Sequence, residues 1–315
     1  RDFRIIADCI KNKKPFYALT GIMPSAPRIH FGTKTVVELM KYFQEQGAET
    51  RICVADLEAM ATRGISLEEG RKRALEFHIP AYIALGLNPK KTTFYFQSEN
   101  KRVLQLAYEF AKKITLAEFK AVYGNADPGR IMSAVTQAGD MLFPQLDKRI
   151  PGIIPVGIDQ DPHIRLCRDI VARTRQRYGF VSISSIYHEF TPSLDGSLKM
   201  SKSEPQGNIE LPEDASQVCK KIRSAFSGGR ATLEEHRKLG GVPEKDMTFQ
   251  LLKLHLVEDD EKLEKVYHEY KAGEMTTGEL KQLGCDLIAK FMNDFSKKLE
   301  KARKQVDKLC FIGFG

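Results

Sequence analysis

The stretch "LDGSLKMSKSEPQGN", residues 194 to 208, packs Lys199 and Lys202 with Ser201 around Met200 on a loop rich in glycine and serine. Two like charges so close repel each other, and a loop of this composition is ordinarily a solvated turn. What a lysine pair adds to a neutral turn is a means of stabilising negative charge. A second stretch, "TGIMPSAPRIHFGTK" (20 to 34), carries groups with the same aptitude. Gly21 and Gly32 permit close backbone approach, the helix that follows offers unpaired N–H groups at its start, and His30 is a donor able to reach a phosphate oxygen. Taken alone, His30 reads as a packed or surface histidine. Set together with the lysine loop, in this order and at this separation, it reads as part of an anion site.

Positioning these groups requires a particular scaffold. The first half of the chain alternates short apolar runs with helical patterns, which predicts an α/β fold with a Rossmann-like, mostly parallel sheet. "PFYALTG" (15 to 21), "TTFYFQ" (92 to 97), "GIIPVGIDQ" (152 to 160) and "VSISSIYHEF" (181 to 190) read as strands, and "ETRICVADLEAM" (49 to 60) as a strand running into a functional-looking loop. Helices are expected over 33 to 47, near 67 to 77, 100 to 113 and 129 to 142, and over 161 to 179, with a functional loop after the strand that ends in "VADLEAM". In such a sheet the ligand crevice lies at the carboxyl ends of the strands, where the loop 20 to 34 falls. Beyond about residue 210 the chain is charged, amphipathic and helical. The expected organisation is a catalytic domain over 1–208, a helical domain over 209–299, and an apolar end, 300–315, packing back on the first domain. Thr232 with Glu235 fits a capping box inside a helix framed by glycine turns.

The totals are compatible with this scheme. A chain of 315 residues with 42% hydrophobic content is long enough for two domains and ordinary for a globular protein. No apolar run approaches a membrane span, and the opening "RDFRIIADCIKNKK" lacks a signal peptide's uninterrupted apolar stretch, so a cytoplasmic location is expected. The formal charge of +8 permits a polyanionic partner without identifying one. The six cysteines show no CxxC pair and no zinc-ligand spacing, and are read as reduced, mostly buried thiols.

The two stretches together resemble the signature pair of the class I aminoacyl-tRNA synthetases, a His-x-Gly-His element after the first strand and a Lys-Met-Ser-Lys-Ser loop. The second is matched letter for letter; in the first, "HFGT", Thr33 stands where the family usually has its second histidine. The resemblance extends over nearly the whole chain and is most specific to tryptophanyl-tRNA synthetases of the archaeal and eukaryotic type. Its blocks are "TGIMPS", "GISLEEGRKRALEF", "PVGIDQDPHIRLCRD", "LDGSLKMSKSEP" and "AFSGGRATLEEHRKLGG". It implies activation of L-tryptophan with ATP and Mg²⁺, transfer to tRNA, and a homodimer. Two alternatives stand beside it: a tyrosyl-tRNA synthetase, and a synthetase-like paralogue that binds RNA without catalysis.

The chemistry that the resemblance implies needs no general base, because a carboxylate attacks the α-phosphate directly. What must be stabilised is charge on the phosphoryl oxygens and the departing pyrophosphate. The resemblance gives that task to Lys199, Ser201, Lys202 and His30. It places Gly21, Pro24, Ser25, His30, Gly32, Thr33, Gly157, Asp159, Met200 and Lys202 around ATP, with Asp159 on the ribose. Mg²⁺ would bridge the phosphates, with no cage of protein ligands. For the amino acid it implies Glu58 at the ammonium group, with Asp56 the weaker of that pair, and Gln160 at the amino or carboxylate end. Gln137 and Asp140, three residues apart on one helix face, would point at the side-chain pocket. Leu19 occupies the position where tyrosyl enzymes carry a hydroxyl-reading tyrosine, which argues against tyrosine. With Cys53 beside it, indole recognition falls on Asp140 or Gln137.

Overall fold

The computed structural model describes residues 1–124, 127–200 and 206–312. Its strands in chain order are β1 (Tyr17–Ile22), β2 (Ile29–His30), β3 (Glu49–Val54), β4 (Thr92–Phe96), β5 (Gly152–Gly157), β6 (Ser184–His188) and β7 (Glu210–Leu211). Packing divides the chain into two compact units. One comprises Arg1–Pro27, Val36–Glu189 and Ala302–Gly315, the other Arg28–Thr35 and Phe190–Lys301.

The first unit is built on a five-stranded parallel sheet in the order β4-β3-β1-β5-β6. The expected α/β class and the five strand assignments hold. Strand order reverses at β1 and β5, the topological switch point where such sheets bind ligands. The two strands pair only at Tyr17↔Gly152 and Ala18↔Ile153. Pro155 supplies a reason for the early stop. Its carbonyl faces β1, accepting from Thr20 Oγ1 at 3.5 Å, so the N–H that proline lacks is the one a longer ladder would need.

Alternation along the strands sorts the core into two layers. Tyr17, Leu19, Cys53 and Tyr95 face a layer closed by the helices Lys101–Ala111 and Pro128–Leu142. Ala18, Ile22, Ile52, Val54, Phe94 and Phe96 face the opposite layer. Near the chain's end, Phe94 N–H donates to the Cys310 carbonyl (3.1 Å) and Ile312 N–H to the Phe94 carbonyl (2.9 Å), extending the sheet at the edge of β4.

Two helical stretches depart from expectation. The chain enters a helix, Asp56–Arg63, directly after β3, where a loop was expected; "DLEAMATR" is made largely of good helix formers and Gly64, at φ 67°, ends it. The helix read near 67 to 77 runs as Leu67–Arg73, a π turn Ala74–His78, and Ile79–Ala84. Pro80 accounts for the π turn, because it cannot donate to the Glu76 carbonyl four residues back. That carbonyl accepts instead from Arg303 Nε at 3.2 Å.

The second unit joins β2 and β7 in an antiparallel pair, Ile29↔Leu211 and His30↔Glu210, and is otherwise mostly helical. The block "AFSGGRATLEEHRKLGG" is a packing device. Thr232 and Glu235 form the expected reciprocal capping box at the head of Leu233–Leu239. The fully buried Asp246 carboxylate accepts from Gly228 N–H (2.9 Å), Thr248 N–H (2.9 Å) and the Tyr270 hydroxyl (2.8 Å). Gly240 adopts φ 70°, ψ 167°, and a Cβ there would stand 1.8 Å from the Lys271 carbonyl oxygen.

The reading of all six cysteines as reduced thiols is corrected here. Cys219, on the helix Ala215–Ser224, and Cys285, on Thr277–Arg303, form a disulfide, and Cys310 is exposed. The two paired residues lie 66 positions apart and meet only because their helices pack together, which no local spacing reveals.

Replacing Gly240 with alanine combines a backbone conformation essentially restricted to glycine with a backbone clash. The variant should lose about 3 kcal/mol or more of unfolding free energy in urea titration. Thr232→Ala, which removes only the cap, should lose about 1 kcal/mol.

Candidate active site

Strand alternation aims Leu19 of β1, Cys53 of β3 and Tyr95 of β4 at one layer, and the helix Pro128–Leu142 lays Asp140 against them. Asp140 is 3% exposed. Tyr95 Oη donates to its Oδ1 at 3.0 Å, Gln97 Nε2 donates to its Oδ2 at 2.5 Å, and the Cys53 thiol also favours its charged form. Burial pushes the Asp140 carboxyl up to about 7, against the pull of those three donors, and the nearby Glu58 adds to the rise. The same burial raises the Cys53 thiol and the Tyr95 hydroxyl well above their usual ranges, so both remain protonated donors.

Gln97 also ties this acid to its neighbour, since its Oε1 accepts from Glu58 N–H at 3.4 Å. Glu58 lies in the first turn of Asp56–Arg63, half-buried, its carboxyl raised by burial and lowered by Arg63. Asp56 has a different task. It is 2% exposed and accepts from Leu57 N–H (3.0 Å) and Ser98 N–H (3.1 Å), locking the start of the helix that carries Glu58. On the face of the helix that holds Asp140, Gln137 Nε2 donates to Gln160 Oε1 at 3.2 Å. Gln160 closes the single 3₁₀ turn after β5, with Gly157 at its head and Asp159 exposed within it. The first unit thus links Asp140 to Glu58 through Gln97, sets Leu19 in the same layer as Cys53 and Tyr95, and joins Gln137 to Gln160.

The loop after β1 is held from outside by residues that motif reasoning passed over. Arg73 Nη1 donates to the Ser25 carbonyl at 3.1 Å and the Pro24 carbonyl at 3.4 Å, and His78 Nε2 lies 2.8 Å from the Ala26 carbonyl. A side chain at Gly70 would press on the Pro24 ring at 3.4 Å. Gly70 and Arg73 belong to "GISLEEGRKRALEF", whose presence among the family resemblances was the available signal, and His78 directly follows it. Gly21 differs: a Cβ there would meet no atom closer than 4.0 Å, so the fold itself leaves room for a side chain.

In the second unit, His30 Nδ1 accepts from Gly32 N–H at 3.1 Å. A neutral ring accepting at Nδ1 carries its proton on Nε2, which makes His30 a donor through that nitrogen. Gly32 is required by this arrangement, because a Cβ would lie 2.8 Å from His30 Cε1. Thr33 stands in the first turn of the helix Phe31–Glu45. Lys199 Nζ sits 4.5 Å from the centre of the Phe190 ring. Met200 is buried, and its N–H donates to the Thr191 carbonyl at 2.8 Å. Ser201 and Lys202 lie outside the described residues. Along Thr277–Arg303, Met292, Phe295, Leu299 and Ala302 are buried, while Lys297 and Lys298 face outward.

A Rossmann-like sheet with a buried acid against it, and signature elements beside a helix start, define a nucleotide-dependent ligase of the aminoacyl-tRNA synthetase kind. The chain belongs to the family described as "tRNA synthetases class I (W and Y)", whose model matches residues 11–293. Within that family its relatives are tryptophan–tRNA ligases. The enzyme of Methanocaldococcus jannaschii is 43% identical over 96% of this chain and 84% of its own, and that of Hyperthermus butylicus 39% identical over 97% and 83%. The crystal structure of tryptophanyl-tRNA synthetase from Aeropyrum pernix superposes with a TM-score of 0.94 at 38% identity, covering 100% of this chain and 86% of that one. The tryptophan-bound enzyme of Encephalitozoon cuniculi gives 0.87 at 28% identity, over 99% and 86%.

An acid whose folded pKa lies above its unfolded value binds its proton more tightly when folded. The contribution of Asp140 to stability is therefore most favourable below about 4 and declines as pH rises towards about 7. Asp140→Asn should remove that decline. Relative to the native protein, its melting temperature in the absence of ligand should rise between pH 5 and 8 in differential scanning fluorimetry. A constant difference across that range would contradict the assignment.

Proposed function

We propose that this protein activates L-tryptophan with ATP to tryptophanyl-adenylate and transfers the amino acid to tRNA, with Asp140 reading the indole N–H. The observation that carries the pocket assignment is the buried Asp140 carboxyl, held by Tyr95 and Gln97 at the layer that also contains Leu19. A carboxylate has about four acceptor positions, and Tyr95, Gln97 and Cys53 leave capacity for one further donor. Glu58, within the same cluster, takes the substrate ammonium, for which an anionic partner is required once water is excluded. Gln160 takes the amino or carboxylate end, and Gln137, bonded to it, borders the side-chain pocket.

On the nucleotide side, Gly21, Pro24 and Ser25 line the loop that approaches ATP, Gly157 and Asp159 meet the ribose, and His30, Gly32 and Thr33 present the helix start to the phosphates. Support for a ligand above Gly21 is that the protein leaves that space open. Lys199, Ser201 and Lys202, with Met200 as the buried foot of the loop, stabilise the charge that grows on pyrophosphate as the carboxylate oxygen bonds to the α-phosphorus and the α–β bridging bond breaks. Mg²⁺ would accompany ATP and neutralise charge on its phosphates. Residues 209–299 form the anticodon-binding domain in this reading, with Lys297 and Lys298 among its RNA-facing cations. The enzyme acts as a homodimer in the cytoplasm; no helix among the described residues is long and apolar enough to cross a membrane.

Exchange of labelled pyrophosphate into ATP should depend on tryptophan and not on tyrosine. Lys199→Ala should lower the exchange kcat several hundredfold, about 3 to 4 kcal/mol in the transition state, with tryptophan affinity within about twofold of native. Asp140→Ala should instead weaken tryptophan binding by about 10- to 100-fold in calorimetry. Exchange supported by tyrosine would overturn the specificity and leave the chemistry standing. Loss of the two carbonyl contacts in Arg73→Ala should raise the KM for ATP about tenfold while that for tryptophan stays near native.

A further inference from the structure

The second unit contains a buried polar bridge that packing alone does not require. His255 lies on a π turn, Leu252–Leu256, that continues the helix Met247–Leu251, and it is 6% exposed. Its Nε2 is 2.8 Å from Thr191 Oγ1, and Thr191 is itself 3% exposed. The Thr191 carbonyl in turn accepts the Met200 N–H at 2.8 Å, one residue beyond Lys199. On its other side the His255 ring stands edge-on to Phe31, with centroids 4.9 Å apart. The His255 carbonyl accepts from Lys34 Nζ at 3.2 Å.

Each contact has a physical motive. Helix C-terminal carbonyls lack intrahelical donors, and a cation there is favoured by the helix dipole. Lys34, 6% exposed, supplies both the donor and the charge, and the carbonyl offsets the desolvation of a buried ammonium group. A threonine and a histidine are unnecessary for filling space, since an apolar pair of the same shape packs as well or better. What the polar pair adds is direction, because the hydrogen bond fixes where the Thr191 backbone lies.

We infer that His255 is a positioning residue that couples the helix-start stretch around His30 to the signature loop at Lys199 and Met200. The two stretches are already stitched on one side by β2 and β7, and Phe31 N–H donates to the Ile209 carbonyl at 3.3 Å. His255 provides a second attachment, so that the two phosphate-side elements keep one spacing. This inference rests on the proposed phosphate role of both stretches.

The test uses the full chain and tryptophan-dependent pyrophosphate exchange. His255→Phe keeps a ring and removes the nitrogen; Thr191→Val keeps the shape and removes the hydroxyl. Each should lower kcat about tenfold while the KM for tryptophan stays within about twofold, and the double variant should be no worse than the poorer single one. His255→Gln, which restores a donor at similar reach, should recover most of the loss. On a Lys199→Ala background, His255→Phe should have little further effect. Native kcat in a folded His255→Phe protein, multiplicative losses in the double variant, or equal losses in kcat and tryptophan binding would overturn the coupling. Absence of exchange in the native protein with either amino acid would sink the functional reading itself, a result distinct from exchange that is indifferent to His255.

Discussion

A carboxylate withdrawn almost wholly from water must be surrounded by donors or surrender its charge, and the arrangement of the first unit follows from holding Asp140 between those limits. Its neighbours are fixed by strand register. Cys53 and Tyr95 are paired across β3 and β4, and Leu19 lies on the adjoining strand, so one period-2 pattern brings all three to the same layer. Gln97, immediately after β4, reaches both Asp140 and the turn that carries Glu58. The acid proposed to read the side chain and the acid proposed to hold the ammonium group are therefore mechanically linked through one amide. A shift of β4 by a single residue would turn Tyr95 to the other face and leave the acid without two of its donors.

Both loops assigned to the nucleotide are gripped by helices that change their hydrogen-bond period. The π turn Ala74–His78 ends on the histidine that meets the Ala26 carbonyl, and the π turn Leu252–Leu256 contains the histidine that meets Thr191. A π turn inserts a residue into the helix and redirects the side chains after it, which is how a helix can aim a polar group sideways at a loop. Pro80 forces the first of these. In both, the loop's backbone or hydroxyl is held by a side chain from an element distant in sequence, which leaves the loop's own side chains available for ligand.

Much of this was legible in the sequence. The five parallel strands were marked by apolar runs between turn residues and the capping box at Thr232 by its spacing, while the stretches proposed for the phosphates stand out by glycines next to His30 and lysines next to Met200. Asp140 and Gln137 were placed on one helix face by their separation alone. Other features had no local signature. Gln97 looks like an ordinary polar residue at a strand end, Arg73 and His78 like surface residues of a charged helix, and His255 like one polar position in "LLKLHLVED". Each gains its role from a partner more than 40 positions away. The Cys219–Cys285 pair was hidden for the same reason. The helix Asp56–Arg63 was misread because a strand that ends in acidic residues suggests a loop, whereas the leucine between those acids and the alanines and methionine after them favour helix.

The chemistry around Asp140 also bears on how one acid could separate two aromatic amino acids. A carboxylate accepts equally well from an indole N–H and a phenolic O–H, so charge alone does not discriminate. The difference lies in what remains after that bond forms. An indole nitrogen has no lone pair left to satisfy, whereas a phenolic oxygen has acceptor capacity that, once buried, costs about 1 to 3 kcal/mol if no donor meets it. Tyr95, Gln97 and Cys53 already point their hydrogens at Asp140, and Leu19 has none to give. In the proposed pocket, the acid's own donors and Leu19 would therefore favour the donor-only heterocycle over the phenol by leaving the phenol's oxygen unanswered, a selectivity that needs no second site to correct it.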